Sequence, residues 1–274
     1  QEADKAMRAV RQMTDHVANV SAVDTAIAPP AAAQEIIAKL RAASAGAREP
    51  FTLSEPDSKA LLAAYGVSVT REQLAASAEA AVKAADSIGY PVVLKGVSAD
   101  LPHKTEAGAV LVGLEDADAV RAGYAEIIAN VAKAKPGLTL DGVLVAEMLS
   151  GGIELALGIA NDPEVGPVVM FGGGGIALEL YGDVAFAAPG VDAAWATRLI
   201  NKTKAAQLLD GWRRTPAHDR AAVEAALIAV GRIARDLGDV IEALDVNPFI
   251  VRRDGEGGVA LDALVVLRAG AGGK

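Results

Sequence analysis

Residues 90–108 read YPVVLKGVSADLPHKTEAG. Pro91 to Leu94 form a short apolar run that delivers one lysine, Lys95, to the end of a predicted buried strand. The loop after it has no apolar periodicity and carries His103 and Lys104 side by side. A cation at a strand end and an imidazole that titrates near neutrality suit phosphate chemistry. Each has a plainer reading too: a strand-end lysine can snorkel to water, and loop lysines and histidines are ordinarily solvated.

Outward from this stretch, helices and strands alternate. Ser54 as an N-cap, Pro56 in the first turn and Asp57 near a capping box open a helix that runs to Tyr65 and stops at Gly66. A strand over 67–70 and a helix from Ser77 to Gly89 follow. Downstream, the pattern predicts strands over 109–114, 142–149 and 153–160, with a turn at Ser150, Gly151 and Gly152. An amphipathic helix over 116–133 carries Val120, Tyr124, Ile127 and Val131 on one stripe. A strand over 167–171 runs into four glycines at 172–175, which let the backbone approach a ligand and turn N–H groups to an anion. Helices over 192–209 and 218–237 precede strands over 241–251 and 259–267, joined by the glycine-rich turn 254–258. Alternating helices and strands with hairpins predict an α+β (α/β) fold with mixed sheets. The first 50 residues read as a helix over 1–21 and Ala/Gly/Pro-rich linkers around a short helix at 34–41, and residues 268–274 read as a disordered tail.

The acids gather near the end. Asp245 and Asn247 lie two apart and so share a strand face, while Leu244 and Val246 point into a core. If the hairpin pivots near Gly255, Asp262 comes nearly opposite Asn247. Three oxygen-bearing side chains on one face, with no cation among them, describe a Mg²⁺ site better than a mixed polar surface. Glu147 is the one charged residue in VLVAEML, at the end of a buried strand, where it is either a carboxylate too costly to bury unpaired or a strand-end residue facing water. Glu154 follows the Gly-Gly turn and either reaches the same cleft or sits on a solvated strand face. His16 and His218 read as structural or exposed.

The composition narrows the function classes. The 274 residues carry a net charge of −9, which argues against a nucleic-acid or anionic-membrane surface. No cysteine is present, excluding disulfides, thiolate metal sites and a cysteine nucleophile, and suiting a reducing cytoplasm. No apolar run approaches the ~20 residues of a membrane span. The helix-like start without Met predicts a fragment or processed chain.

Taken in order, YGVSVT, GYPVVLKGVSADLPHKTEAGAV, VLVAEMLSGGIELALGI, DPEVGPVVMFGGGGIALE and ALDVNPFIV with VALDA resemble the ATP-grasp part of NDP-forming (ADP-forming) acyl-CoA synthetases, relatives of succinyl-CoA synthetase. The similarity runs from Phe51 to Leu267, and the first 50 residues resemble the end of a CoA-ligase region and its linker. The resemblance implies an ATP-grasp fold of two lobes, hinged near Glu147, gripping ATP or ADP. It implies phosphate binding by Lys95 with Lys104 beside it, adenine and ribose contacts from Glu147, Met148 and Glu154, and Mg²⁺ on Asn247 and Asp262. It further implies a phosphohistidine at His103, and Asp245 steadying Asn247. LPHK stands where LHK or ILHK is usual, and FGGGGI where FGLGGI is common; neither change removes a reacting group. The implied partner is a CoA-binding ligase domain or α subunit, fused or separate, which handles a small carboxylic acid within a cytoplasmic oligomer. Two other readings stay open: an ATP-grasp carboxylate ligase that needs no His103, and a non-catalytic nucleotide sensor fused to an acyltransferase.

Overall fold

Two antiparallel sheets, each with its own apolar core, meet along a cleft lined by Lys95, Lys104, Glu147, Met148, Asn247 and Asp262. The computed structural model describes residues 28–98, 101, 104–162, 164–175, 182–213 and 215–270. Pro102, His103 and the helix expected over 1–21 lie outside the described residues.

The smaller lobe is built from β2 (Glu72–Ala75), α3 (Ala78–Ile88), β3 (Val92–Val97), β4 (Val110–Leu114), α4 (Ala117–Ala134) and β5 (Gly142–Glu147), with sheet order β2-β5-β3-β4. Leu94, Ile127 and Val145 are among the side chains buried between this sheet and its two helices. Asp116 caps α4, its carboxylate accepting the Ala119 N–H at 2.8 Å.

The larger lobe holds β1 (Phe51–Thr52), α2 (Glu55–Ala64), β6 (Ile153–Asp162), β7 (Gly166–Gly173), β8 (Val184–Ala187), α5 (Ala193–Ile200), α6 (Ala205–Leu209), α7 (Arg220–Leu237), β9 (Ile241–Val251), β10 (Gly258–Ala260) and β11 (Leu264–Leu267). Its sheet runs β1-β11-β9-β6-β7-β8, with β10 also paired to β9. Leu157, Phe171, Leu227, Ile233 and Phe249 lie in its core.

The two-lobed α+β architecture is borne out, but the sheets are not mixed: every described ladder is antiparallel. The reason is an inserted strand. β2 and β3 flank a connecting helix and run the same way, but β5 lies between them, antiparallel to both. The strand expected over 67–70 is instead an isolated parallel bridge from Val69 to Ala260, and the ladder forms at β2. The helix expected over 192–209 breaks into α5 and α6, where the Thr203 hydroxyl bonds the Ile200 carbonyl at 2.9 Å. Before the lobes, α1 (Gln34–Gly46) outruns its expected end at residue 41. Alanine favours helix, and the i,i+4 pair Leu40 and Ser44 is buried. Ser44 also ties down the start of the expected tail, bonding the Arg268 carbonyl at 2.8 Å and accepting the Gly270 N–H at 2.7 Å. Among the described residues no helix is long and apolar enough to cross a membrane.

Phe249 follows Asn247 by two residues on β9 and lies in the core of the larger lobe. Phe249→Ala is expected to cost about 3–5 kcal/mol by leaving a cavity, read as a lower urea midpoint in equilibrium unfolding.

Candidate functional site

The first turn of α2 supplies an anchor that the sequence reading passed over. Ser54 caps this helix, and its hydroxyl accepts the Asp57 N–H at 3.2 Å. That fixes Glu55 in the first turn, only 5% exposed. The Glu55 carboxylate meets three lysines. Its Oε1 lies 2.7 Å from Lys95 Nζ and 2.9 Å from Lys59 Nζ, and its Oε2 accepts from Lys104. Lys59, 2% exposed, also donates to Thr70 Oγ1 at 2.9 Å and Glu72 Oε2 at 2.6 Å. Lys95 also donates to the Leu261 carbonyl at 2.8 Å. Burial pushes the Glu55 carboxyl up, but the ammoniums of Lys95, Lys59 and Lys104 outweigh it and hold the group well below its usual range. Burial alone would lower the Lys95 ammonium; Glu55 and Asp262 outweigh it and raise it. Lys95 is therefore held charged and in place.

The final hairpin builds the facing wall. Its register is continuous on both sides of a break at residues 261–263, which sets Asp262 across from Asn247 as expected. The break itself serves the site. The Leu261 carbonyl goes to Lys95, and the Ala263 N–H goes to Asp262 Oδ1 at 2.8 Å. Burial raises the Asp245 carboxyl, and the charge of Asp262 adds to it; burial and then Glu55 raise Asp262, against the pull of the lysines. The donor set is two carboxylates and the Asn247 amide, all oxygen, in carboxylates that resist ionisation. A hard divalent cation such as Mg²⁺, with water and phosphate completing its shell, fits that set. Among the described residues no group of three or more His, Cys, Asp or Glu side chains could hold a metal unaided.

Two cavities meet at this wall, and Lys104, Asn247 and Asp262 line both. The larger, about 710 Å³, extends past Lys95 to Glu147 and Met148, with Val93, Val112 and Pro248 as apolar lining. The smaller, about 190 Å³, reaches Glu55, Ser98 and Asp245. Glu147 is not the unpaired carboxylate its sequence context suggests: it accepts from Arg71 N and Arg71 Nε, both at 2.9 Å. Glu154 lines neither cavity; it lies against Gly175 instead. The glycine run also departs from expectation. Gly174 N–H bonds the Glu154 carbonyl at 2.9 Å and Gly175 N–H bonds Asn247 Oδ1 at 3.0 Å, so these amides orient protein groups rather than await an anion. A Cβ at Gly174 would sit 2.6 Å from the Leu155 carbonyl oxygen, so close packing excludes a side chain there. His218 is buried, with Nδ1 3.2 Å from the Leu208 carbonyl, away from the cleft.

The model of an ATP-grasp domain matches residues 44–267. The chain belongs to the ATP-grasp family. It is 36% identical over 214 residues to the β subunit of ADP-forming acetate–CoA ligase II from Pyrococcus furiosus, covering 78% of this chain and 91% of that one. A trans-feruloyl-CoA synthase from an unknown prokaryotic organism is 41% identical over 213 residues, but this ATP-grasp chain spans only 30% of its length. Among solved structures, acetyl-coenzyme A synthetase 1 of Candidatus Korarchaeum cryptofilum, complexed with coenzyme A, Ca-AMPCP and HgCl⁺, superposes with a TM-score of 0.78 at 38% identity. That match covers 86% of this chain and all of the other. The same synthetase complexed with coenzyme A and Mg-AMPPCP is described with a phosphohistidine segment pointing towards the nucleotide-binding site, and matches with a TM-score of 0.71 at 36% identity.

The raised Asp262 carboxyl fixes the sign of a stability test. A group raised by folding contributes stability below its ordinary value of 3.8 and loses it as pH rises through the folded value. At pH 7 and in chelator, Asp262→Asn is therefore expected to melt higher than the parent chain, by about 2–4 °C for each kcal/mol relieved. That gain should vanish in acid. Added Mg²⁺ should raise the melting temperature of the parent chain and leave the variant unmoved.

Proposed function

We propose that this chain is the nucleotide-binding half of an ADP-forming acyl-CoA synthetase, which converts acid, CoA and ATP to acyl-CoA, ADP and phosphate. The observation that carries this reading is the pairing of walls across one cleft: Lys95 and Lys104 on one side, Asp245, Asn247 and Asp262 on the other. Cations and a hard-metal donor set a cavity apart are what a nucleotide polyphosphate requires. The similarity to acetate–CoA ligase β subunits narrows the class of reaction.

In this reading Lys95 and Lys104 bind ATP phosphates. Asn247 and Asp262 hold Mg²⁺ and Asp245 steadies Asn247. Mg²⁺, when bound, neutralises charge on the phosphate oxygens. The larger cavity takes the nucleoside, with Met148 against the base and Glu147 braced by Arg71 at the hinge between lobes; Glu154 acts only through the glycine turn. His103, one residue before Lys104, accepts the γ-phosphoryl group. A bond forms from imidazole nitrogen to phosphorus, the bond to the bridging oxygen breaks, and ADP leaves. The phosphoryl group then passes to a separate or fused CoA-binding partner, where a carboxylic acid is activated and thioesterified. The phosphohistidine segment described for the archaeal synthetase supports this relay. A chain without cysteine suits a reducing cytoplasm.

Incubation with Mg²⁺ and γ-labelled ATP tests it. Label should appear on the chain, survive alkali and leave in acid, and His103→Ala should abolish it. Lys95→Met should weaken ATP binding at least about tenfold by calorimetry, since hydrogen bonds to charged groups are worth about 1.5–3 kcal/mol. Undiminished labelling of the His103→Ala chain would overturn the relay.

A further inference from the structure

Lys95 belongs to β3 of the smaller lobe, yet its partners belong to the larger lobe: Glu55 on α2 at 2.7 Å and the Leu261 carbonyl at 2.8 Å. Of these, only Glu55 carries charge. Its Oε1 is shared between Lys95 and Lys59, and Lys59 is held in turn by Thr70 and by Glu72 of β2. One carboxylate of the larger lobe thus reaches two strands of the smaller lobe, β3 directly through Lys95 and β2 by way of Lys59. Its Oε2 holds Lys104, which lines both cavities beside Asn247 and Asp262.

The interior gives this arrangement little freedom. The Glu55 and Lys59 side chains are 1% and 2% exposed. Lys95 and Lys104 are only 13% and 15% exposed. Four-carbon lysine stems are the most mobile cations available, and an ammonium is a point charge with no preferred plane. A phosphate-binding lysine placed by its own stem would sample many positions. Placed by a buried carboxylate, it samples few, and the ordering cost is met before nucleotide arrives.

We propose that Glu55 is the positioning residue of the phosphate-binding lysines, a larger-lobe carboxylate that fixes Lys95 of the smaller lobe against the Asn247 and Asp262 wall. It touches no reacting atom; it acts through Lys95 and Lys104. The proposal rests on the nucleotide reading above and deepens it by naming what sets the distance between the two walls.

The test is a double-mutant cycle in Mg-ATP affinity, measured by calorimetry on the whole chain. Glu55→Gln keeps the shape of the side chain and removes its charge, and should weaken binding about tenfold or more. Glu55→Asp, which keeps the charge, should recover part of that loss. In a Lys95→Met background, Glu55→Gln should cost clearly less than in the parent, leaving only the share that passes through Lys104. A merely structural role predicts the same loss in both backgrounds, and that result overturns the proposal. So does parent-like affinity in Glu55→Gln. If Glu55→Gln fails to fold, Glu55→Asp is carried through the same two backgrounds and judged by the same two outcomes. A parent chain that binds no Mg-ATP rejects the nucleotide reading itself, and this proposal with it; a parent chain that binds while the cycle is additive rejects only Glu55.

Discussion

A carboxylate buried to the extent of Glu55 must be matched by cations or give up its charge. Three lysines match it, and much of the cleft follows from that requirement. Lys59 cannot leave, because its own burial leaves Glu55, Thr70 and Glu72 as the groups that satisfy it. Lys95 is pinned between Glu55 and the Leu261 carbonyl. Taking the Leu261 carbonyl interrupts the β10–β11 stretch, and the interruption is where Asp262 turns to bond the Ala263 N–H and face Asn247. One ion cluster therefore sets both the cationic wall and the local backbone of the acidic one.

The two walls differ in how far their charges are satisfied. On the lysine side, attraction outweighs burial, so Glu55 is held ionised and Lys95 protonated. On the hairpin side, burial dominates, and Asp245 and Asp262 are both raised. A folded chain that tolerates such a pair is paying stability for an unmet demand for positive charge. In the proposed reading, a polyphosphate with a hard divalent cation would answer both sides together: the metal would relieve the acids, and the phosphates would face the lysines. Neither component alone matches the whole cleft.

Much of this was legible in the sequence. The run around Lys95 gives β3, and the alternation in IEALDVNPFIV gives β9 with Asp245 and Asn247 on one face and Leu244 and Val246 beneath. The hairpin register that opposes Asn247 and Asp262 follows from counting back from the turn. What stayed hidden depends on contacts far apart in the chain. β5 between β2 and β3 turns an apparent parallel pair into an antiparallel sheet, and no local pattern in EQLA announces an edge strand. Arg71 lies 76 positions from Glu147, so the carboxylate looked unpartnered. The glycines at 174 and 175 looked like an anion cradle because glycine permits two different things, close backbone packing and exposed N–H groups; the packing against Leu155 and the bond to Asn247 decide for the first.

Glu55 and Lys59 left a local trace that was open to another reading. Positions 55, 58, 59 and 62 follow the i, i+3, i+4, i+7 spacing of a buried helical stripe, and they hold Glu, Ser, Lys and Leu. An acid in a first turn is ordinarily a helix-dipole partner, and an i,i+4 Glu–Lys pair is ordinarily a solvated surface pair. Both interpretations assume that the stripe faces water. Leu61 and Leu62 fix the opposite orientation, since the helix cannot bury them in the larger lobe and also turn Glu55 outward. A polar stripe on a helix whose leucines demand burial is therefore a sign that charges must be met by something from another element. Here the cations that meet Glu55 from outside α2 are Lys95 and Lys104 of the smaller lobe, 40 and 49 positions along the chain.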